Sequence, residues 1–257
     1  MTVLGVVPYL NAVPLLAELP RELAQRGADP AVLARWLREG SVDAALLPVA
    51  EGLSGAGDGF LGHFGIACDG EVESVLAFVP HEGPPSSWPR HVVLDPASRT
   101  SVALLRVLLE RAYGLTPTYV TADVPGPDPA AHPDAVVLAI GDRALHRAAA
   151  WRGGIVDLGA AWKAWTGLPF VFARWTARRG LPAADRGTLA RTLDAAAERG
   201  ILRTDELAQR HGPAHGIEVG AARRYLGRSI RFRIGPAEEA GLARFAEELG
   251  RIGGPRP

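Results

Sequence analysis

The sequence predicts an α/β protein built as two lobes. Three observations carry this reading. Short apolar runs alternate along the chain with helical patterns. A stretch rich in proline, glycine and serine at residues 81–89 interrupts that rhythm. From Ala183 onward the pattern is mainly helical, with no sheet of its own to cover. The chain has 257 residues, enough for one large domain or two lobes with separate cores.

Val3–Val7 reads as a buried first strand, and Pro14 sits near the first turn of the helix that follows. Pro30–Glu39 is a short amphipathic helix stopped by Gly40. Asp43–Leu47 and Val72–Val79 are the next strands, and His91–Leu94 starts a new one after the composition break. Thr100–Tyr113 is a helix with Leu104, Leu105, Leu108 and Leu109 on one side. Thr116–Val120 and Ala135–Ile140 are strands, separated by a loop rich in proline and aspartate at 123–133. Arg143–Ala150 and Ala160–Thr166 are short helices, the second ended by Gly167, and Phe170–Trp175 is a strand. Helices follow over 185–199, 204–210 and 219–226, then a last strand at Ile230–Ile234 and a final helix at 236–250.

The stretch 81–89 reads as a linker or a surface loop, and about residues 80–172 look like an α/β unit of their own. The simplest arrangement returns the C-terminal helices to the first lobe. The expected division is therefore 1–79 plus 173–257 for lobe 1 and 80–172 for lobe 2. Two lobes joined by two crossings imply a central cleft for a small ligand.

Composition excludes several function classes. Hydrophobic residues make up 47% and charged residues 22%, the balance of a chain that buries a core. Lysine plus arginine equals aspartate plus glutamate at 28 each, so no global field draws in nucleic acid or an anionic membrane, and neither is expected as a partner. Cys68 is the only cysteine, which excludes an internal disulfide and any multi-cysteine metal site. His211 and His215 have i,i+4 spacing, but Gly212 and Pro213 between them would break the helix a zinc pair needs, so no metal is expected. Lys163 is the only lysine and the single candidate for a Schiff base, although it lies between Trp162 and Ala164 in an expected helix. The first residues have no basic start and no small-residue cleavage site, and Pro8, Asn11 and Pro14 interrupt the apolar run. They read as neither signal peptide nor anchor, and no stretch reaches the ~20 apolar residues of a bilayer span. A cytoplasmic protein is expected; no feature fixes an oligomeric state.

Four stretches offer polar groups where α/β proteins bind ligands. Tyr9-Leu10-Asn11 lies after a strand and before a helix, a place that faces the ligand crevice; the alternative is that Asn11 only caps the helix. In Asp95 to Ser101, the hydroxyls of Ser98, Thr100 and Ser101 cluster at a helix start, where unpaired N–H groups and the macrodipole favour an anion. Capping by Ser98 or Thr100 explains the same residues. In Ile140-Gly141-Asp142, the glycine permits close backbone approach by a ligand, and Asp142 either lines the site or caps the next helix. Ser74 sits in the strand-like run Glu71 to Leu76. Two polar helix starts across a cleft suit a ligand with two carboxylates. There is no serine–histidine–aspartate signature, no phosphate loop and no dinucleotide glycine pattern, and the glycines of 55–59 have neither spacing.

A resemblance joins these stretches. Tyr9-Leu10-Asn11, the run from Gly40 through Asp43 to Pro48, Gly70 through Ser74 to Leu76, and Ser98-Arg99-Thr100-Ser101 occur in that order. They are followed by Ile140-Gly141-Asp142, Asp157 through Trp162, and Thr166-Gly167-Leu168-Pro169-Phe170-Val171-Phe172-Ala173-Arg174-Trp175. The ordered set, with the tail from Arg231-Phe232 to Phe245, resembles the MqnA-type chorismate dehydratases over almost the whole chain. The resemblance implies a type II periplasmic-binding-protein-like fold of two α/β lobes. It implies conversion of chorismate to 3-[(1-carboxyvinyl)oxy]benzoate and water, in the futalosine route of menaquinone biosynthesis, without a cofactor. A sister family of the same fold acts on cyclic dehypoxanthine futalosine, and a non-catalytic small-anion-binding protein would share the architecture, so fold alone does not separate them.

The implied reaction removes the ring proton at C3 and the hydroxyl at C4, and aromatisation drives it. On that reading Ser98, Thr100 and Ser101 hold a carboxylate. Asn11 and Ser74 orient the reacting end and donate hydrogen bonds to developing charge. Tyr9 and Gly141 border the substrate, and Asp142 or a nearby donor positions the C4 hydroxyl. The proton acceptor is either Asp142 or the substrate's own enolpyruvyl carboxylate, which has the advantage of an intramolecular group.

Overall fold

The computed structural model describes residues 2–252. Its elements begin with β1 (Val3–Val6), α1 (Val13–Leu16), β2 (Ala24–Gly27), α2 (Pro30–Arg38), β3 (Ala44–Pro48), α3 (Val49–Leu53) and β4 (Phe60–Cys68). The middle of the chain forms β5 (Val75–Val79), β6 (His91–Leu94), α4 (Arg99–Val107), β7 (Thr118–Thr121), β8 (Val136–Ile140), α5 (Gly141–Ala150), β9 (Gly154–Asp157) and α6 (Leu158–Thr166). It closes with β10 (Phe170–Ala177), α7 (Ala183–Ile201), α8 (Thr204–His211), α9 (Val219–Arg224), β11 (Arg231–Arg233) and α10 (Pro236–Arg251). The expected alternation of strand and helix is present, sorted into two sheets.

Two compact units divide after Ala67, Phe170 and Glu238. The first unit carries a six-stranded sheet in the order β11-β4-β10-β3-β1-β2. β1 pairs in parallel with β2 and β3, β10 runs antiparallel to β3, and β11 runs antiparallel to β4. Its inner strands β1 and β3 read as near-continuous apolar runs because both faces are covered, with Leu4, Leu46 and Leu47 fully buried. Helix α7 crosses α1 at Gly200, where a Cβ would collide with the Pro14 carbonyl. Among the glycines of 55–59, Gly57 lets the chain close against the carbonyl of Ala177, and Asp58 and Gly59 exchange backbone bonds with that residue.

The second unit carries a five-stranded sheet in the order β7-β6-β8-β5-β9. β6 is parallel to β7 and β8, while β5 is antiparallel to both β8 and β9. Leu76, Phe78, Ala139 and Ala144 pack together on it, with Trp151 edge-on to Phe78 at 5.8 Å.

Both expected boundaries move. The whole of β5 lies in the middle of the second sheet, so the second unit starts at Cys68 and not at residue 80. The composition break at 81–89 is a surface loop inside that unit, where the Trp88 indole donates to the Gly83 carbonyl at 3.0 Å. The actual crossing runs at the end of β4, a nine-residue strand with no loop signal. The last helix also leaves the first unit. Phe245 of α10 stacks edge-on against Trp162 at 6.1 Å and Phe170 at 4.9 Å. The fully buried Glu248 meets Arg111 at 3.1 Å, Arg244 at 2.9 Å and Arg251 at 2.5 Å. A buried carboxylate is tolerated only with such partners; Arg244 and Arg251 lie on α10 itself, and Arg111 is the one that ties the helix to the second unit.

Other differences are local. The polar edge strand β2 escapes sequence reading because it is mostly exposed. β4 and β9 escape it because glycine breaks their pattern. The long helix after Ser98 ends as an α-helix at Val107 and continues as a π turn over Leu108–Ala112. Among the described residues, no helix is long and apolar enough to cross a membrane.

Gly241 of α10 packs so closely that a Cβ would collide with the backbone carbonyl of Pro169. Backbone cannot give way as a flexible side chain does. Gly241→Ala is therefore expected to destabilise the protein by about 1–3 kcal/mol, the usual cost of overpacking. Denaturant unfolding followed by tryptophan fluorescence measures it, and an unchanged midpoint would refute the close docking of α10.

Candidate functional site

Sheet topology gathers most of the candidate residues at one edge of the second unit. β6 and β8 are parallel, so their carboxyl ends share an edge. β5 is antiparallel to β8, so its amino end lies there too, with Val75 opposite Ile140. β9 is antiparallel to β5, which brings Asp157 opposite Leu76. The starts of α4, α5 and α6 follow directly from these strand ends. Ser74, Ser98, Thr100, Ser101, Gly141 and Asp142 thus lie along one edge of one sheet.

At the start of α4, Ser98 is the N-cap, and its Oγ accepts from the Ser101 N–H at 3.2 Å. The capping reading of Ser98 holds, and it leaves the hydroxyls of Thr100 and Ser101 with no part in that cap. All three residues are buried. The loop before them is held by Asp95, whose carboxylate accepts from the N–H groups of Ala97 at 2.9 Å and Gly126 at 3.0 Å. Burial pushes the Asp95 carboxyl above its ordinary range, while those two N–H groups and the Arg143 and Arg147 guanidinium groups pull it back.

At the start of α5, Gly141 has φ +62°, a left-handed conformation that glycine adopts without strain. Its N–H donates to the Ser74 carbonyl at 2.7 Å, joining two of the predicted stretches directly. Asp142 does not cap: the cap position is Ile140, which makes no side-chain bond, and Asp142 sits in the first turn. There its charge complements the helix dipole. Ser74 is not within a strand as expected, because β5 starts at Val75.

Asp157 is the reason. Its carboxylate accepts from Gly159 at 2.9 Å and Ala160 at 3.0 Å, capping α6, and from Val72 at 3.0 Å and Glu73 at 2.7 Å. The second pair bends residues 70–74 into a turn and holds Glu73 at φ +61°, a strained value for a residue with a side chain. Burial raises the Asp157 carboxyl, and the four N–H groups oppose that rise.

The remaining candidates belong to the first unit. Tyr9 is the N-cap of a single 3₁₀ turn, Leu10–Ala12, that follows β1 and leads into α1; it makes no side-chain cap bond. Asn11 lies inside this turn and does not cap α1, where the cap residue is Ala12 and makes no side-chain bond. Its Nδ2 instead donates to the hydroxyl of Tyr225 at 3.0 Å, across 214 positions of sequence. Its Oδ1 is buried and has no hydrogen-bond partner among the described residues. Buried polar atoms are nearly always paired, so an orphan acceptor invites a ligand donor. Tyr225 is fully buried and opens a π turn, Tyr225–Ser229, behind α9.

Comparison with known proteins fits this architecture. A family described as menaquinone biosynthesis matches residues 2–251. The chain is also 34% identical, over 266 aligned positions, to a chorismate dehydratase of Thermus thermophilus, covering 96% of this chain and 95% of that protein. The chain belongs to this menaquinone biosynthesis family. Among solved structures, a protein of Archaeoglobus fulgidus aligns with a TM-score of 0.75 at 14% identity, covering 98% of this chain and 97% of that one. The alkanesulfonate-binding protein of Xanthomonas axonopodis pv. citri aligns with a TM-score of 0.67 at 12% identity, covering 100% and 94%. At such identities these neighbours establish the fold alone, which is periplasmic-binding-protein-like.

Within this family member, other reactive side chains have structural duties. The Cys68 thiol is buried and pushed up to about 12, first by burial and then by the Asp157 charge, so it is inert. Lys163 binds Asp69 at 2.6 Å and the Gly167 carbonyl at 2.8 Å at the end of α6, which occupies the only Schiff-base candidate. Among the described residues, no group of three or more histidine, cysteine, aspartate or glutamate side chains is placed to hold a metal ion. Sequence reading missed Asp157 and Tyr225, which bond the turn before Ser74 and the Asn11 amide. Asp157 has a signal, since an aspartate two residues before a glycine at a helix start is a cap. Tyr225 has none, because it lies in a stretch that reads as ordinary helix.

Removing the Asp157 charge should loosen both partners at once. Asp157→Asn is expected to cost about 2–4 kcal/mol, from charge-assisted bonds worth roughly 1.5–3 kcal/mol each and partly replaced by the amide. Amide hydrogen exchange should show lost protection at Val72, Glu73 and Ala160 together. Loss confined to α6 would show that the 70–74 turn does not depend on this carboxylate.

Proposed function

We propose that this chain is a chorismate dehydratase, a carbon–oxygen hydro-lyase that converts chorismate to 3-[(1-carboxyvinyl)oxy]benzoate and water. On this reading it works in the cytoplasm, in the futalosine route to menaquinone, with no cofactor. The structural observation that carries the proposal is the polar edge of the second unit, where buried hydroxyls and three helix starts meet. Such an edge suits carboxylates, because first-turn N–H groups and helix dipoles favour negative charge. The full-length likeness to a relative named chorismate dehydratase supplies the substrate.

Roles follow from chemistry. The hydroxyls of Thr100 and Ser101, with the Ser98-capped helix start, bind a substrate carboxylate. Gly141 leaves room for a close approach to the backbone, and Asp142 positions the C4 hydroxyl. Tyr9 borders the substrate beside Asn11. Asn11 and Ser74 orient the reacting end. Loss of the C3 proton and the C4 hydroxide aromatises the ring, so the enzyme has chiefly to orient, accept a proton and assist the leaving group. The substrate's enolpyruvyl carboxylate is the favoured base, held at high effective molarity. Asp142 is the competing base, and one substitution separates the two.

Asn11→Ala and Ser74→Ala, each checked for folding by circular dichroism, should each lower chorismate turnover on the order of 10²-fold. Near-normal turnover in both would remove them from the site and sink the assignment of roles. Asp142→Asn should retain turnover within about tenfold if the substrate supplies the base, the discount of one hydrogen bond. A loss of several orders of magnitude would instead make Asp142 the base.

A further inference from the structure

Asn11 is a half-buried predicted site residue whose amide is incompletely bonded. Its Nδ2 is spent on Tyr225 at 3.0 Å, and its Oδ1 meets no donor among the described residues. A side-chain amide is nearly symmetric in shape, so only its hydrogen bonds decide which head points where. At Asn11 the Tyr225 hydroxyl accepts from Nδ2, which leaves Oδ1 as the unbonded head. The tyrosine is itself held rigidly: it is fully buried, and it begins the π turn that bulges from the end of α9, a feature often kept for function.

We propose that Tyr225 is a positioning residue that locks the Asn11 amide with its carbonyl head turned toward the substrate, so that Asn11 acts as a hydrogen-bond acceptor for a hydroxyl of the bound molecule. This rests on the reading of Asn11 as a site residue. It revises one part of the sequence-based expectation, in which Asn11 donates to developing charge. An acceptor fixed in this way selects a substrate that carries a hydroxyl, because an analogue without it would leave the buried Oδ1 unpaired. In chorismate the group that fits is the C4 hydroxyl, and Asn11 then takes over the acceptor role given to Asp142, because the hydroxyl has one proton to donate. Tyr225 touches none of the reacting atoms and acts only through the amide.

A double-mutant cycle reads this coupling. Tyr225→Phe keeps the ring that fills the core and removes only the hydroxyl. It should lower kcat about tenfold, the effect of one buried hydrogen bond, with KM changed less than about threefold. In an Asn11→Ala background the same change should have no further effect on kcat. An equal tenfold loss in both backgrounds would overturn the proposal, since Tyr225 would then act independently of Asn11. A second readout does not need turnover. In the wild-type protein the Asn11 side-chain NH₂ should give a slowly exchanging pair of signals in ¹⁵N-edited spectra, lost in Tyr225→Phe. Signals unchanged by that substitution would also overturn it. If the wild type leaves chorismate untouched, the proposed substrate fails, and the amide signals still test the lock.

Discussion

A single carboxylate organises the second unit. Asp157 collects four backbone N–H groups, two from the start of α6 and two from the turn before β5. Each bond alone would be worth little in water, but a half-buried charge needs partners, and here backbone N–H groups supply them. The consequence is geometric. The turn at 70–74 is drawn toward the sheet edge, Glu73 takes a left-handed backbone, and the Ser74 carbonyl receives the Gly141 N–H. Two sequence stretches separated by more than sixty residues become one polar surface.

The first unit solves its own problem differently. The 3₁₀ turn after β1 has no side-chain caps, so nothing local holds Asn11 in place. The hold comes from Tyr225, far along the chain and anchored in the core. In each unit, then, a group remote in sequence holds a candidate polar stretch: Asp157 the turn before Ser74, and Tyr225 the Asn11 amide. This is the support that precise sites require, because a site residue left to its own rotamers loses most of its value. The reactive side chains that remain, Cys68 and Lys163, are held out of chemistry by burial and by ion pairing.

Local patterns reveal the strands and helices of the buried layers, because full burial on both faces writes continuous apolar runs such as Ala44–Leu47 and Val136–Ala139. The polar stretches at strand ends are legible for the same reason that α/β proteins bind ligands there. What the residues do not display is which strand ends share an edge. β5 joins the second sheet through antiparallel pairing on both sides, and the louder composition break at 81–89 pulls the expected boundary to the wrong place. The final helix is likewise assigned by Phe245, against Trp162 and Phe170, and by the Glu248–Arg111 pair, all contacts across more than seventy residues. Asn11 and Asp142 look like helix caps from spacing alone, and only coordinates show that neither fills the cap position. Tyr225 carries no local mark at all, since its hydrogen bond to Asn11 spans 214 positions of sequence.

The proposed function requires elimination of water from chorismate. Incubating the purified wild-type chain with chorismate alone, and following the mixture by mass spectrometry and ultraviolet absorbance, tests that most directly. The expected result is a benzoate that retains the enolpyruvyl ether and is lighter than chorismate by one water. Chorismate recovered unchanged at high enzyme concentration, or consumed to a product that keeps the C4 hydroxyl, would contradict it.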